Sequence, residues 1–343
     1  MIKALTSWRG IFALCIVYFH LGMQEFTQMA VIAVTFFFMV SGFLVAMHNT
    51  GYGTNIKLYY KRRLWRIFPL HWLALALLII LDLSRIHQFT YGWDLPLHIA
   101  LLQSWIPSIE VYYGYSLHSW FLSSLLFCIL ITPPLLQWVK RVSLPVLWSV
   151  LVVAATVLII ADLYSNNDFL NYSHVCPAIR AIDYTMGIAI FVTIERLRWR
   201  EKMQHISMTN ASLLELATLA VLAISVTVHA QGGWSVTEKL ESAPLWWIPC
   251  ALLITCATVL SGHEGILGKL LTLKPLLWLG GISFEIYILQ KFVNNAFNHL
   301  VAPLFGHYGI LIYGFSIAII PPLLVVTAWL VHKLFNHLHL SRQ

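Results

Sequence analysis

The chain has 343 residues, of which 59% are hydrophobic and only 10% are charged, and its mean hydropathy is +0.77. Soluble domains carry about 25% charged residues, so this composition excludes a water-soluble globular protein and indicates an integral membrane protein. The net charge of +7 does not indicate a nucleic-acid partner, because the basic residues lie in short clusters between apolar segments.

Long apolar segments recur along the whole chain. A membrane-spanning helix needs about 20 mostly apolar residues, and segments of that length alternate here with short connections, without an internal repeat or a long soluble linker. We therefore predict an all-α fold: a polytopic membrane helix bundle of about ten transmembrane helices, in one domain over residues 1–343, with no soluble C-terminal domain. The predicted spans lie near 4–22, 29–48, 67–84, 116–138, 145–164, 179–196, 211–229, 244–261, 278–298 and 308–333. The apolar stretch 95–107 is too short to span and is bounded by prolines, so we predict an interfacial or re-entrant piece there.

Lysine and arginine cluster in alternate connections. The basic clusters are Lys57, Lys61, Arg62, Arg63 and Arg66 after the second span, Lys140 and Arg141 after the fourth, Arg196, Arg198, Arg200 and Lys202 after the sixth, Lys269 and Lys274 after the eighth, and Lys333 and Arg342 after the tenth. The positive-inside rule places these connections in the cytoplasm. Both termini are then predicted to be cytoplasmic, with 165–178 and 230–243 outside, in a protein of the inner (cytoplasmic) membrane.

The five cysteines are scattered through the chain. They form no C-x-x-C pair, and four of them lie within predicted spans. Neither a disulfide framework nor a metal site is predicted.

The first span, "TSWRGIFALCIVYFHLG", contains two ionisable residues, which are energetically unfavourable inside a bilayer. Arg9 and His20 are eleven positions apart, which is three helical turns plus about 20°, so they share one helix face about 16 Å apart. With the N-terminus inside, this face presents an anion binder toward the cytoplasm and a proton acceptor toward the far side. The alternative is that Arg9 snorkels to one interface and His20 lies at the other.

The next two spans add a close-packing signal and an arginine pair. Ser41 and Gly42 interrupt the aromatic run "VTFFFMVSGFLVAMHN", where small residues indicate close helix approach. In "YYKRRLWRIFPLHW", Arg63 and Arg66 lie at i,i+3 on one face. They are interpreted either as a positive-inside anchor or as a cytoplasmic phosphate site, because paired guanidiniums suit phosphate oxygens.

Polar residues in the later spans are further candidates. Arg180 and Asp183, at i,i+3, are predicted to form a structural ion pair, with a substrate-binding function as the alternative. His118 and Trp120 open a span on the outer side, where an interfacial aromatic belt competes with substrate binding. Tyr287 is a further substrate-binding candidate.

In their order along the chain, these segments resemble the acyltransferase 3 family of integral-membrane O-acyltransferases. The resemblance rests on Arg9 and His20 with ten residues between them, and on "FFFMVSGFL", "RRLWRIFP", "SLHSWFLSSLL", "RAIDYTMGI" and "LGGISFEIYILQ". It implies transfer of an acyl group, usually acetyl from acetyl-CoA, to a hydroxyl of an envelope glycan or lipid-linked saccharide, without a metal. His20 and Arg9 match the family's essential histidine and arginine, and Arg63 and Arg66 match its cytoplasmic arginine pair. Ser41, within the second-span motif, is assigned to substrate binding.

Histidine suits the proton transfer that this reaction needs at neutral pH. His20 is expected either to act as the base or to carry the acyl group itself. Many family members have a glutamate where this chain has Leu125 and a histidine where it has Gln290, so neither position is expected to assist His20.

Two other functions compete with the enzyme. A glycan transporter or flippase would be expected to show paired repeats and helices broken at matching positions, and none is evident in the sequence. An inactive family member is suggested by Leu125 and Gln290, whereas the presence of Arg9 and His20 argues against it.

Overall fold

Helices account for nearly all the regular structure in the computed structural model. It describes residues 2–49, 55–230, 244–305 and 309–340, and no strand occurs within these ranges. The helices are α1 (Lys3–His20), α2 (Thr27–Asn49), α3 (Ile56–Leu81), α4 (Leu95–Ala100), α5 (Ile109–Tyr112), α6 (Ser119–Arg141), α7 (Leu144–Tyr164), α8 (Asn167–Val175), α9 (Pro177–Arg196), α10 (Trp199–Lys202), α11 (Met208–Ala230), α12 (Trp247–Val259), α13 (Ile266–Leu271), α14 (Lys274–Gly281), α15 (Ser283–Ala296) and α16 (Gly309–Leu340). The predicted all-α membrane bundle is confirmed.

Seven helices in the described residues are long and apolar enough to cross a membrane. An eighth is obtained if α14 and the helical segment after it, bent by 63° against each other, count as one span. Helices α1 and α12 occupy two further predicted positions but differ in character: α1 contains Lys3, Arg9 and His20, and α12 has only 13 residues. The total of about ten spans and the cytoplasmic termini stay predictions.

Helix α2 lies at the centre of the bundle, and α7 and α11 lie at its edge. The apolar window of α2 is 72% buried, against 17% in each of the two outer helices. Many large apolar side chains of the outer helices are exposed, which is the expected arrangement where lipid replaces water as the solvent.

The central helices cross at glycines. A Cβ added at Gly42 of α2 would overlap the backbone carbonyl of Tyr184 in α9, and one added at Gly187 of α9 would overlap the carbonyl of Met39. The close approach predicted from the Ser41-Gly42 pair is therefore confirmed. Helices α1 and α14 meet in the same way, since a Cβ at Gly280 would overlap the Thr6 carbonyl.

The stretch 95–107 forms short helical pieces and no spanning helix, and its interfacial or re-entrant placement stays a prediction. It contains α4 and a 3-10 turn at Gln103–Trp105, and it packs against the beginning of α6. Gln103 donates to the Ser119 hydroxyl (3.0 Å), and Ser104 donates to the carbonyl of Trp120 (3.1 Å). His98 of α4 is fully buried, and burial lowers the pKa of its imidazole.

Two of the basic clusters, those after α6 and α9, lie together at one end of the bundle. Arg196 at the end of α9 donates to the carbonyls of Val142 and Val139 at the end of α6, at 2.7 and 2.8 Å. The hydroxyls of Tyr59 and Tyr60 in the first turn of α3 donate to the carbonyls of Ile129 and Leu130 at the middle of α6. This arrangement is the one the positive-inside pattern predicts, and the side on which it lies stays a prediction. The connection 231–243 and Arg342 lie outside the described residues.

Candidate functional site

A partly open cavity of about 130 Å³ lies between α1, α2, α3, α6, α9 and α15. Most of its wall is apolar or aromatic, and Leu125 is part of that wall. The polar residues that line it are Arg9, Ser41, Arg63, Arg66, Tyr184, Ser283 and Tyr287. Five residues predicted from sequence, Arg9, Ser41, Arg63, Arg66 and Tyr287, are thus brought to one space by four different helices.

Three guanidinium groups give this cavity a positive wall. Arg63 and Arg66 lie about one turn apart on α3, and Arg9 lies on α1. The N-terminus of α3 is capped by the side chain of Asn55. Arg9 and Arg66 are near enough to repel each other electrostatically, and the Glu285 carboxylate attracts both. The three positive charges outnumber this carboxylate, so the wall is suited to a polyanion such as a phosphate ester.

The Glu285 carboxylate also contacts a histidine of α16. Its Oε1 lies 2.6 Å from Nδ1 of His332 in α16. This pair was not predicted from the sequence, because 47 residues separate the two positions and neither residue alone indicates the other.

His20 lies beyond the cavity wall and contacts a second histidine. Its Nδ1 is 3.1 Å from Nε2 of His118, and the two rings meet edge to face with centroids 4.2 Å apart. The Gln290 side chain of α15 donates to the carbonyl of Tyr287 at 2.9 Å, and its Oε1 is buried without a hydrogen-bond partner among the described residues. The expectation that position 290 does not assist His20 stays a prediction.

Tyr287 connects the cavity to this histidine pair. It lines the cavity, its ring lies 5.1 Å from that of Phe121, and its hydroxyl donates to the backbone carbonyl of His118 at 3.1 Å. Tyr287 thus lies both at the cavity that contains the arginines and against the residue that contacts His20.

The aromatic-belt interpretation of His118 and Trp120 is wrong. His118 is 5% exposed and Trp120 6% exposed, so both face the protein interior and not the headgroup region. Trp120 packs against the ring of His174 at 4.9 Å and is not part of the cavity lining.

Arg180 and Asp183 form the predicted structural ion pair. Their side chains are fully buried and joined at 2.8 Å, and Asp183 also accepts a hydrogen bond from the Trp247 indole at 2.5 Å. Neither residue lines the cavity. The predicted substrate contact is therefore not available to this pair in the conformation described.

Comparison with known proteins gives a family and one distant relative. The family model described as an acyltransferase domain, acyltransferase 3, matches residues 2–331. The chain is also 23% identical over 337 residues to the acyltransferase MdmB of Streptomyces mycarofaciens, with 89% of this chain and 82% of that protein covered. No solved structure matches significantly. Because the family match spans almost the entire multi-pass bundle, the chain belongs to the acyltransferase 3 family.

Proposed function

We propose that this protein is a membrane O-acyltransferase that takes an acyl group, acetyl in particular, from cytoplasmic acyl-CoA. It transfers that group to a hydroxyl of an envelope or extracellular polysaccharide or its lipid-linked precursor. The observation that carries the proposal is the arginine-lined cavity, whose lining residue Tyr287 donates to the carbonyl of His118, the residue that contacts His20.

The cavity suits the donor chemically. CoA carries several phosphates and a long, mostly uncharged arm that ends in the thioester. Arg9, Arg63 and Arg66 offer guanidiniums to the phosphates, and the apolar wall suits the arm. The two basic clusters that lie together at one end of the bundle favour an approach from the cytoplasm.

The histidine pair suits the transfer step. The acceptor oxygen attacks the thioester carbonyl carbon while its proton passes to His20, and the C–S bond then breaks. The departing CoA sulfur takes that proton from His20, so the enzyme returns to its starting state. General-base assistance of this kind contributes about 10²–10⁴-fold in rate.

The acceptor is proposed to arrive from the other side of the membrane. His20 is the last residue of α1, at the opposite end from Lys3, and it is only partly buried. A hydroxyl that reaches this end meets His20 without passing the arginine cluster.

The experiment is acyl analysis of envelope polysaccharides from native cells that carry the wild-type gene, a deletion, or the deletion complemented with His20→Ala. We expect O-acetyl groups to be lost in the deletion and not restored by the variant, while the amount of exported polysaccharide stays constant. Loss of export in place of acetylation would support a transporter. Normal acetylation with a stably expressed His20→Ala protein would refute the catalytic assignment.

A further inference from the structure

The hydrogen bond between His20 and His118 can run in either of two directions. A neutral imidazole has one N–H donor and one acceptor nitrogen, and Nδ1 of His20 lies 3.1 Å from Nε2 of His118. One of these two nitrogens therefore carries the shared proton. The identity of that nitrogen decides what the other side of the His20 ring can do.

The two arrangements differ in their capacity for base catalysis. If His118 donates, Nδ1 of His20 is occupied as an acceptor and its Nε2 carries the remaining proton, so the ring has no free lone pair. If His20 donates from Nδ1, its Nε2 lone pair is free for a substrate hydroxyl. When His20 takes up a proton, both of its nitrogens carry hydrogen and both can only donate. The hydrogen bond to His118 is therefore kept only in the second arrangement.

We propose that His118 is the positioning residue of the acyl-transfer site, whose Nε2 accepts the Nδ1–H of His20 and holds the His20 ring with Nε2 free to receive the acceptor's proton. The inference rests on the proposed function, because it is base catalysis by His20 that selects this arrangement. His118 does not touch the substrate, and it takes the place that an orienting carboxylate occupies in a Ser-His-Asp triad.

The surroundings of His118 fix its position. It is 5% exposed and directly precedes α6, and its carbonyl is held by the Tyr287 hydroxyl at 3.1 Å. The next residue, Ser119, donates to the carbonyl of Ser116 at 2.8 Å and accepts from Gln103 at 3.0 Å. This position is set by three separate segments, and rigid support of this kind is what an orienting group needs.

The second nitrogen of His118 argues against a purely structural function. Nδ1 of His118 is buried and has no hydrogen-bond partner among the described residues. An unpaired buried polar atom destabilises a fold, so a phenylalanine of similar shape would serve packing at least as well. Among the described residues, the charged group that acts on both rings is the Lys291 ammonium, which supplies no carboxylate that would replace His118.

The test compares two substitutions at one position. His118→Phe keeps the ring shape and removes both nitrogens, whereas His118→Gln places an amide oxygen near the former Nε2 and can still accept from His20. Wild type, both variants, His20→Ala and the exposed matched control His48→Phe are purified in lipid nanodiscs. Initial rates are measured with acetyl-CoA and native acceptor polysaccharide, together with thermal unfolding.

We expect His118→Phe to lower kcat by about tenfold or more, with an unchanged KM for acetyl-CoA and an unfolding midpoint no lower than that of wild type. His118→Gln should recover most of kcat, and His48→Phe should behave as wild type. Full kcat in a folded His118→Phe protein would overturn the inference. Equal losses in His118→Phe and His118→Gln, with both proteins folded, would also overturn it.

A second measurement separates the inference from the proposed function. In protein labelled with ¹⁵N-histidine, the His20 signals are assigned by their disappearance in His20→Ala, and solid-state NMR in bilayers reports which nitrogen is protonated. We expect the Nδ1–H tautomer in wild type and its loss in His118→Phe. The Nε2–H tautomer in wild type would refute the orienting role of His118 even if acyl transfer is observed. Absence of acyl transfer in an Nδ1–H protein would refute the proposed function instead.

Discussion

Replacement of Arg66 by alanine provides a direct measure of the proposed donor site. Arg66 lines the cavity, its guanidinium lies 5.9 Å above the Phe284 ring, and its charge acts on Arg9. The Arg66 side chain is exposed, and the nearby Glu285 carboxylate keeps its contact with His332 when Arg66 is removed. We therefore expect the Arg66→Ala protein to fold and to bind acetyl-CoA more weakly.

The size of the effect follows from the interaction that the Arg66 guanidinium is proposed to make with a phosphate. A hydrogen bond to a charged group contributes about 1.5–3 kcal/mol, and about 1.4 kcal/mol corresponds to a factor of ten. The dissociation constant for acetyl-CoA should rise by roughly tenfold to a hundredfold. Two effects oppose each other: removal of Arg66 relieves its repulsion with Arg9, and it also leaves Glu285 with less positive charge around it.

Isothermal titration calorimetry of the purified protein with acetyl-CoA is the assay. Arg62→Ala is the matched control, because Arg62 lies on the same helix and in the same basic cluster but is not part of the cavity lining. A similar loss of affinity in Arg62→Ala would mean that general surface charge attracts the donor. Unchanged affinity in the folded Arg66→Ala protein, and also in an Arg63→Ala/Arg66→Ala double variant, would refute the phosphate site and leave only the positive-inside anchor.

Three further predictions concern stability and are measured by unfolding in detergent micelles. Asp183→Ala leaves the fully buried Arg180 without its carboxylate, and we expect a loss of about 3–5 kcal/mol; a loss below about 1 kcal/mol would contradict the importance of the pair. Glu215→Ala removes the carboxylate oxygen that accepts from two backbone N–H groups at the beginning of α13, at 2.9 and 3.0 Å, so a loss of about 1–3 kcal/mol for each unpaired group is expected. Burial lowers the pKa of His98, so below its ordinary value of about 6.5 the unfolded chain binds more protons than the fold. Stability should therefore decline as the pH falls from about 6.5 toward the folded pKa, and this decline should be smaller in His98→Gln. An equal pH dependence in the two proteins would exclude His98 as its source.

The sequence by itself determined the class of the fold and the local pairs. Low charge and repeated apolar runs require a membrane bundle, because a water-facing surface cannot be built from this composition. The Arg180–Asp183 ion pair was predictable because i,i+3 neighbours on a helix meet wherever that helix is placed. The Ser41-Gly42 contact was predictable because small residues in a membrane helix indicate close approach, although its partner in α9 was not.

Only the tertiary structure brought the candidate site together. His20 and His118 are 98 residues apart, and their contact depends on how α1 and the beginning of α6 are packed in the bundle. The sequence could not distinguish a histidine and a tryptophan in a headgroup belt from the same residues facing inward. Both side chains are amphipathic, and the end of a span is compatible with either location. The same reason explains why the His332–Glu285 pair was missed. Helix periodicity defines which residues share a face, but the neighbour that covers this face is determined by long-range packing between helices.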